Sequence, residues 1–155
     1  MKQIELSEGI VTLVDDEDFD IVSRHKWRLI RMSGNYCYAV RFVERKAFLL
    51  HRELLGLAHG DVRVVDHIDG NGLNNCRANL RVCSQAENAR NRRIHKNNKA
   101  GLKGVYRDNK SGRFRAQIRH NNTKVHLGSY GTPEEAHSVY LAAAQRLHGK
   151  FARAC

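Results

Sequence analysis

No apolar run in the 155-residue chain is long enough to cross a bilayer, and the opening residues MKQIELSEG lack the basic-then-apolar order of a secretion signal. A soluble, cytoplasmic chain with no membrane partner is the expectation. The four cysteines, Cys37, Cys76, Cys83 and Cys155, form no C-x-x-C pair. That argues against a zinc knuckle and for reduced packing thiols. No internal repeat is visible. What is present is globular in composition, 41% apolar with 28% charged, with room for one ordinary domain or two small ones.

Charge is the informative quantity. The formal net charge is +11. Residues 1–80 hold 11 Lys/Arg against 12 Asp/Glu, residues 81–130 hold 13 against 2, and residues 131–155 hold 3 against 2. The surplus therefore sits in one fifty-residue stretch, the pattern of a localised polyanion site rather than a uniformly solvated surface.

Residues 1–50 read as β-rich. Ile10–Val14 and Tyr36–Val43 are dense in β-branched and aromatic residues, with a turn at Ser33-Gly34-Asn35. Asp15–Asp18 starts a loop or helix. This segment reads as a packing layer without chemistry of its own. His51–Gly56 predicts a short helix, and Val62–Asp66 a strand with Leu80–Val82 as its hairpin partner. Ser84-Gln-Ala-Glu87 is a capping box that opens a helix from about Gln85 to about Ile94. Lys96–Gly101 reads as a linker.

Beyond it, Arg113–Arg119 alternates without a break: Phe114, Ala116 and Ile118 on one side, Arg113, Arg115, Gln117 and Arg119 on the other. Lys124 and His126 extend the polar face across a turn at His120–Thr123, and Val125 and Leu127 extend the apolar one. Thr132-Pro-Glu-Glu135 starts a helix whose Ala136, Val139, Tyr140, Ala143 and Leu147 form one apolar stripe. That stripe predicts a helix lying on the apolar face of the strands.

Three blocks fall in order in the middle of the chain: Asp66-His67-Ile68-Asp69-Gly70, Asn79-Leu80-Arg81 and Asn88-Ala89-Arg90-Asn91. Residues 51–93 resemble the HNH family, also called ββα-metal or His-Me finger nucleases, with the phage-type homing endonucleases nearest in pattern. Phosphodiester hydrolysis needs an activated water, a cation on the phosphate and leaving oxygen, and fixed geometry. A histidine titrates where proton abstraction near neutral pH requires it. The resemblance makes His67 the general base and Asn79 the catalytic asparagine whose carbonyl orients the imidazole. It also makes Asp66 and Asn88 the ligands of one Mg²⁺ or Mn²⁺ ion per active site. Asp69 reads as a turn residue, His51 as a core-fixing one, and Arg81 and Arg90 as DNA-phosphate clamps.

The blocks Gly104-Val105, Gly112–Arg119, Leu127-Gly128 and Thr132–Ala136, with Tyr140 and Ala143-Ala144, resemble the plant Apetala/ethylene-response-factor DNA-binding domain. That resemblance implies a three-stranded antiparallel sheet packed on one helix and laid in the DNA major groove. A sheet fits that groove, where Arg reads guanine and Gln reads adenine. Lys103, Gln117, Arg119, Lys124 and His126 are the implied contacts, with Arg107, Arg113 and Arg115 as phosphate or base partners. Two tryptophans that the plant domain uses fall here at Ser111 and His126, so its target sequence does not carry over.

The fold expected is α+β: a β-rich N-terminal segment over 1–50, a ββα-metal core over 51–95, a linker over 96–101, and the sheet-and-helix module over 102–155. The function expected is a site-directed, metal-dependent endonuclease acting on double-stranded DNA, a monomer or weak dimer that nicks. The competing reading is a non-catalytic DNA-binding regulator built on a nuclease-like core. An RNA-binding protein would call for an exposed aromatic platform that the sequence lacks.

Overall fold

Short strands follow from a sequence whose β-branched runs are interrupted every few residues by polar turns. The computed structural model describes residues 1–7, 9–32, 36–91, 94, 97–121 and 123–152. Strand β1 (Lys2–Glu5) pairs antiparallel with β2 (Val11–Val14). The acidic run becomes the first turn of α1 (Asp16–Val22), where carboxylates suit the positive end of the helix dipole. Strands β3 (Arg28–Met32), β4 (Tyr36–Val43) and β5 (Lys46–Leu49) form an antiparallel sheet in that order. The turn expected at 33–35 lies outside the described residues.

Helix α2 (Leu50–Leu54) follows directly. Then β6 (Val64–His67) pairs antiparallel with β7 (Leu80–Cys83), and α3 (Gln85–Asn91) closes a β-β-α unit. The predicted capping box is formed: the Ser84 N–H donates to Glu87 Oε2 at 2.9 Å, and the Glu87 N–H donates to Ser84 Oγ at 3.2 Å. The helix is described to Asn91; Arg92 and Arg93, in the stretch predicted to continue it, lie outside the described residues.

The chain divides into two compact units, Met1–Asn88 and Ala89–Cys155, with the division inside α3. Asn98 shows why the stretch after α3 goes with the second unit. Its side chain accepts the Ala100 N–H at 2.9 Å and donates to the carbonyls of Leu102 and Val105 at 2.9 and 3.1 Å.

In the first unit, one core draws Ile4 and Val14 from the β1–β2 pair, Trp27 and Ala39 from around the second sheet, Leu50 and Leu54 from α2, and Val65 and Leu80 from the hairpin. The Trp27 indole N–H donates to the Val22 carbonyl at 2.8 Å, so its one polar group is satisfied inside that core.

In the second unit, β8 (Val105–Arg107), β9 (Phe114–His120) and β10 (Thr123–Tyr130) form an antiparallel sheet in the order β10-β9-β8. Helix α4 (Pro133–His148) lies on it, with Thr132 and Glu135 forming a complete capping box and Pro133 in the first turn. The alternation predicted from sequence is the one found: Ala116 and Ile118 are buried with Ala136, Tyr140, Ala143 and Ala144. Gly104 sits at φ +76°, where a Cβ would run into the Tyr140 ring, so the entry to β8 requires glycine. The fold is thus α+β. Among the described residues, no helix is long and apolar enough to cross a membrane.

Candidate active centre and nucleic-acid face

Hairpin register builds the centre. Asp66 stands directly opposite Arg81, and His67 opposite Leu80, at the end of β6 where the chain turns away. The Arg81 guanidinium donates to Asp66 Oδ2 through Nε at 2.8 Å and Nη2 at 2.5 Å; Asp66 is buried and Arg81 partly so, their side chains 5% and 12% exposed. The guanidinium meets the carboxylate because residues paired across a hairpin share a face.

The loop between the strands is tied by side chains of its own. Asp69 Oδ1 accepts the Asn71 N–H at 2.8 Å, the Asx turn read from sequence, and Asp69 Oδ2 accepts from Asn74 Nδ2 at 2.8 Å. Burial alone would raise the Asp69 carboxyl, but the Asn71 N–H and the amides of Asn74 and Asn79 outweigh it and leave it below its ordinary value.

Asn79 braces the same loop. Its carbonyl accepts the Asp69 N–H at 3.0 Å, and its amide donates to Asp69 Oδ1 at 3.0 Å and the Asn74 carbonyl at 2.8 Å. The expectation that Asn79 orients the imidazole is corrected here. The side chain found on His67 is Asn75, whose Oδ1 lies 3.1 Å from Nε2. Asn75 is fully buried, and its Nδ2 donates to Thr12 Oγ1 at 2.7 Å. Thr12 belongs to β2, in the segment read as packing alone. Nothing local in Thr12 signals its reach of 63 residues to Asn75.

His67 is 6% exposed. Burial pushes its imidazole below the ordinary histidine range, against the opposing pull of Asn75 and the charges of Asp69 and Asp66. His51 packs edge-on against it, ring centroids 4.9 Å apart, and the Tyr38 ring lies 5.3 Å from His51 and 5.9 Å from His67. A Cβ on Gly72 would collide with the Cys37 carbonyl and the Tyr38 ring, so this close approach requires glycine. His51 is held neutral, its pKa lowered to about 3 by burial first, then by His67 and Arg52.

Asn88 lies on the first turns of α3, half-buried, with its N–H donated to the Ser84 carbonyl at 3.0 Å. Among the described residues, no group of three or more His, Cys, Asp or Glu side chains gathers around a metal position. The carboxylate and the amide that the family resemblance implies, Asp66 and Asn88, would be a sparse, hard-oxygen donor set. Such a set fits an ion that keeps most of its water or takes phosphate oxygens, and it does not fit a closed zinc cage.

In the second unit the outward face of the sheet carries three cross-strand rows: Lys124 with Arg119, His126 with Gln117, and Ser129 with Arg115 and Tyr106. Arg115 is ion-paired with Asp108, and Arg113 donates to the Ser129 carbonyl at 2.9 Å. Lys103 Nζ donates to the Arg90 carbonyl at 2.7 Å, and Arg107 pairs with Phe114, which puts it on the helix-facing side of the pleat at an exposed edge. Tyr106, half-exposed on the outward face, was missed because its single position carries no period.

A hairpin ending in an Asp-His pair, an Asn-braced loop and a capped helix define a ββα nuclease-type centre. Residues 48–90 match the family described as HNH endonuclease, and residues 100–150 match the AP2 domain. Protein 3.8 of Escherichia phage T7 is 34% identical over 89 residues, 57% of this chain and 73% of that protein. An uncharacterized HNH endonuclease of Acanthamoeba polyphaga mimivirus is 28% identical over 145 residues, 94% of this chain and 74% of that protein. No solved structure matches. The chain belongs to the HNH endonuclease family and carries an AP2-like DNA-binding domain.

Proposed function

We propose that this protein is a site-directed, divalent-metal-dependent endonuclease that hydrolyses phosphodiester bonds in double-stranded DNA and nicks one strand as a monomer. The observation that carries the reading is a buried imidazole, His67, at the end of β6 next to Asp66, its pKa pushed down by burial. A neutral imidazole accepts a proton from water; the water oxygen bonds to phosphorus, and the bond from phosphorus to the leaving nucleotide oxygen breaks. Asp66 and Asn88 are the side chains that would hold the Mg²⁺ or Mn²⁺ ion. When bound, that ion supplies positive charge at the phosphate and the leaving oxygen. Asn79 keeps the loop shape on which these positions depend. The cutting function belongs to residues 51–95, and the sheet of residues 102–155 chooses the site. Arg113, Arg115, Gln117, Arg119, Lys124 and His126 grip the DNA there, with Arg90 on the backbone.

Supercoiled plasmid incubated with the protein and Mg²⁺ or Mn²⁺ should become open circles, and EDTA should stop this. His67→Ala should lower the rate by roughly 10²–10⁴-fold, the range that general-base catalysis supplies, while DNA is still bound. Undiminished cleavage by that variant would overturn the assignment of the base.

A further inference from the structure

The hydrogen-bond chain behind His67 has a direction, and the direction fixes where the ring carries its proton. The Thr12 hydroxyl donates to the Leu73 carbonyl at 2.8 Å, which uses its single proton. Its oxygen therefore accepts from Asn75, and the group facing it is the Asn75 amide nitrogen, 2.7 Å away, which lies 3.5 Å from the Gly72 carbonyl as well. The Asn75 amide is thereby oriented with its oxygen toward His67 Nε2, at 3.1 Å. An amide oxygen is an acceptor only. Nε2 must then carry the hydrogen, and the lone pair of the neutral ring lies on Nδ1.

The chain is built, not incidental. Thr12 and Asn75 are each fully buried, so neither exchanges its partner for water. Backbone bonds hold the two elements in register: the Leu13 N–H donates to the Leu73 carbonyl at 2.8 Å, and the Asn75 N–H donates to the Leu13 carbonyl at 2.9 Å. Strand β2 thus meets the loop 73–75 through main chain and side chain together.

We infer that Thr12 and Asn75 are positioning residues that lock His67 as the Nε2–H tautomer and so select Nδ1 as its basic nitrogen. The N-terminal strand β2 is then part of the active centre, not a packing layer around it. The statement that Nδ1 takes the proton from water rests on the nuclease reading above; the tautomer does not.

The test uses the full chain labelled with ¹⁵N-histidine, in which the two ring nitrogens of the neutral His67 are told apart by their chemical shifts. In the unsubstituted protein Nε2 should be protonated and Nδ1 unprotonated. Thr12→Val keeps the shape of the side chain and removes the hydroxyl, so the Asn75 amide loses its orientation and His67 should show both tautomers. Its kcat on DNA should fall by about 10- to 100-fold with KM unchanged, as for other residues that orient a functional histidine. Thr12→Ser should restore both readouts.

A protonated Nδ1 in the unsubstituted protein overturns the inference. So does a folded Thr12→Val protein whose His67 keeps the original tautomer, whatever its rate. If Thr12→Val does not fold, the spectrum of the unsubstituted protein decides. A chain that cuts no DNA yet shows Nε2–H, lost in Thr12→Val, upholds the network and sinks the nuclease reading instead.

Discussion

At the scale of single residues, burial works against charge on two neighbouring imidazoles, His51 and His67. His51 is buried, its Nδ1 has no hydrogen-bond partner among the described residues, and its pKa lies near 3 against an ordinary 6.5. Between those values the unfolded chain binds a proton that the folded chain refuses, so stability rises with pH through the window and is lost as pH falls below 6.5. Replacing His51 by Phe keeps a ring in the core and removes the titration. Urea unfolding at steps from about pH 7 to about pH 5 should show the unsubstituted protein losing stability relative to His51→Phe by up to about 1.4 kcal/mol per pH unit. Parallel slopes for the two proteins would mean that His51 is not held neutral by the fold.

At the scale of elements, what was legible in the sequence was what is local. The Ser84 and Thr132 capping boxes, the alternation of Arg113–Arg119 and the stripe on α4 are each set by residues within a few positions of one another, and each appears as read. The three HNH blocks were legible as types in order, but not as contacts. Asn79 reads as the partner of the imidazole because a motif names residues without giving register. Pairing of β6 with β7 sets Arg81 opposite Asp66, and the loop path hands the imidazole to Asn75. Thr12 was out of reach altogether: in β2 it is one more β-branched residue, and its role arises from a contact across the fold. The hairpin ion pair makes its own prediction. Arg81→Ala removes the guanidinium from the buried Asp66 carboxylate, which should cost more in urea unfolding than the about 0–1 kcal/mol of a surface pair. A change below about 1 kcal/mol would show that Asp66 finds water or another partner easily.

For the molecule as a whole, the uneven charge in the sequence and the face of the second sheet describe one arrangement. Thirteen Lys/Arg against two Asp/Glu fall within residues 81–130, and the strands of that stretch sort several of them onto the side away from α4. Some of that charge is already committed: Arg115 to Asp108, and the Lys103 ammonium to the Arg90 carbonyl. Arg119 and Lys124 face each other across β9 and β10, both exposed, and are the row we propose to meet phosphates. Phosphate contacts release counterions, so each one contributes about 0.9 to the slope of log affinity against log salt. Substituting both residues by alanine should flatten that slope by roughly 1.8, measured on duplex DNA over a salt series. His67→Ala should leave it unchanged while losing cleavage. An endonuclease gives both results, whereas a non-catalytic regulator gives the salt response with no cleavage to lose. If the double substitution leaves the slope intact, the grip lies on another surface and the sheet does not choose the site.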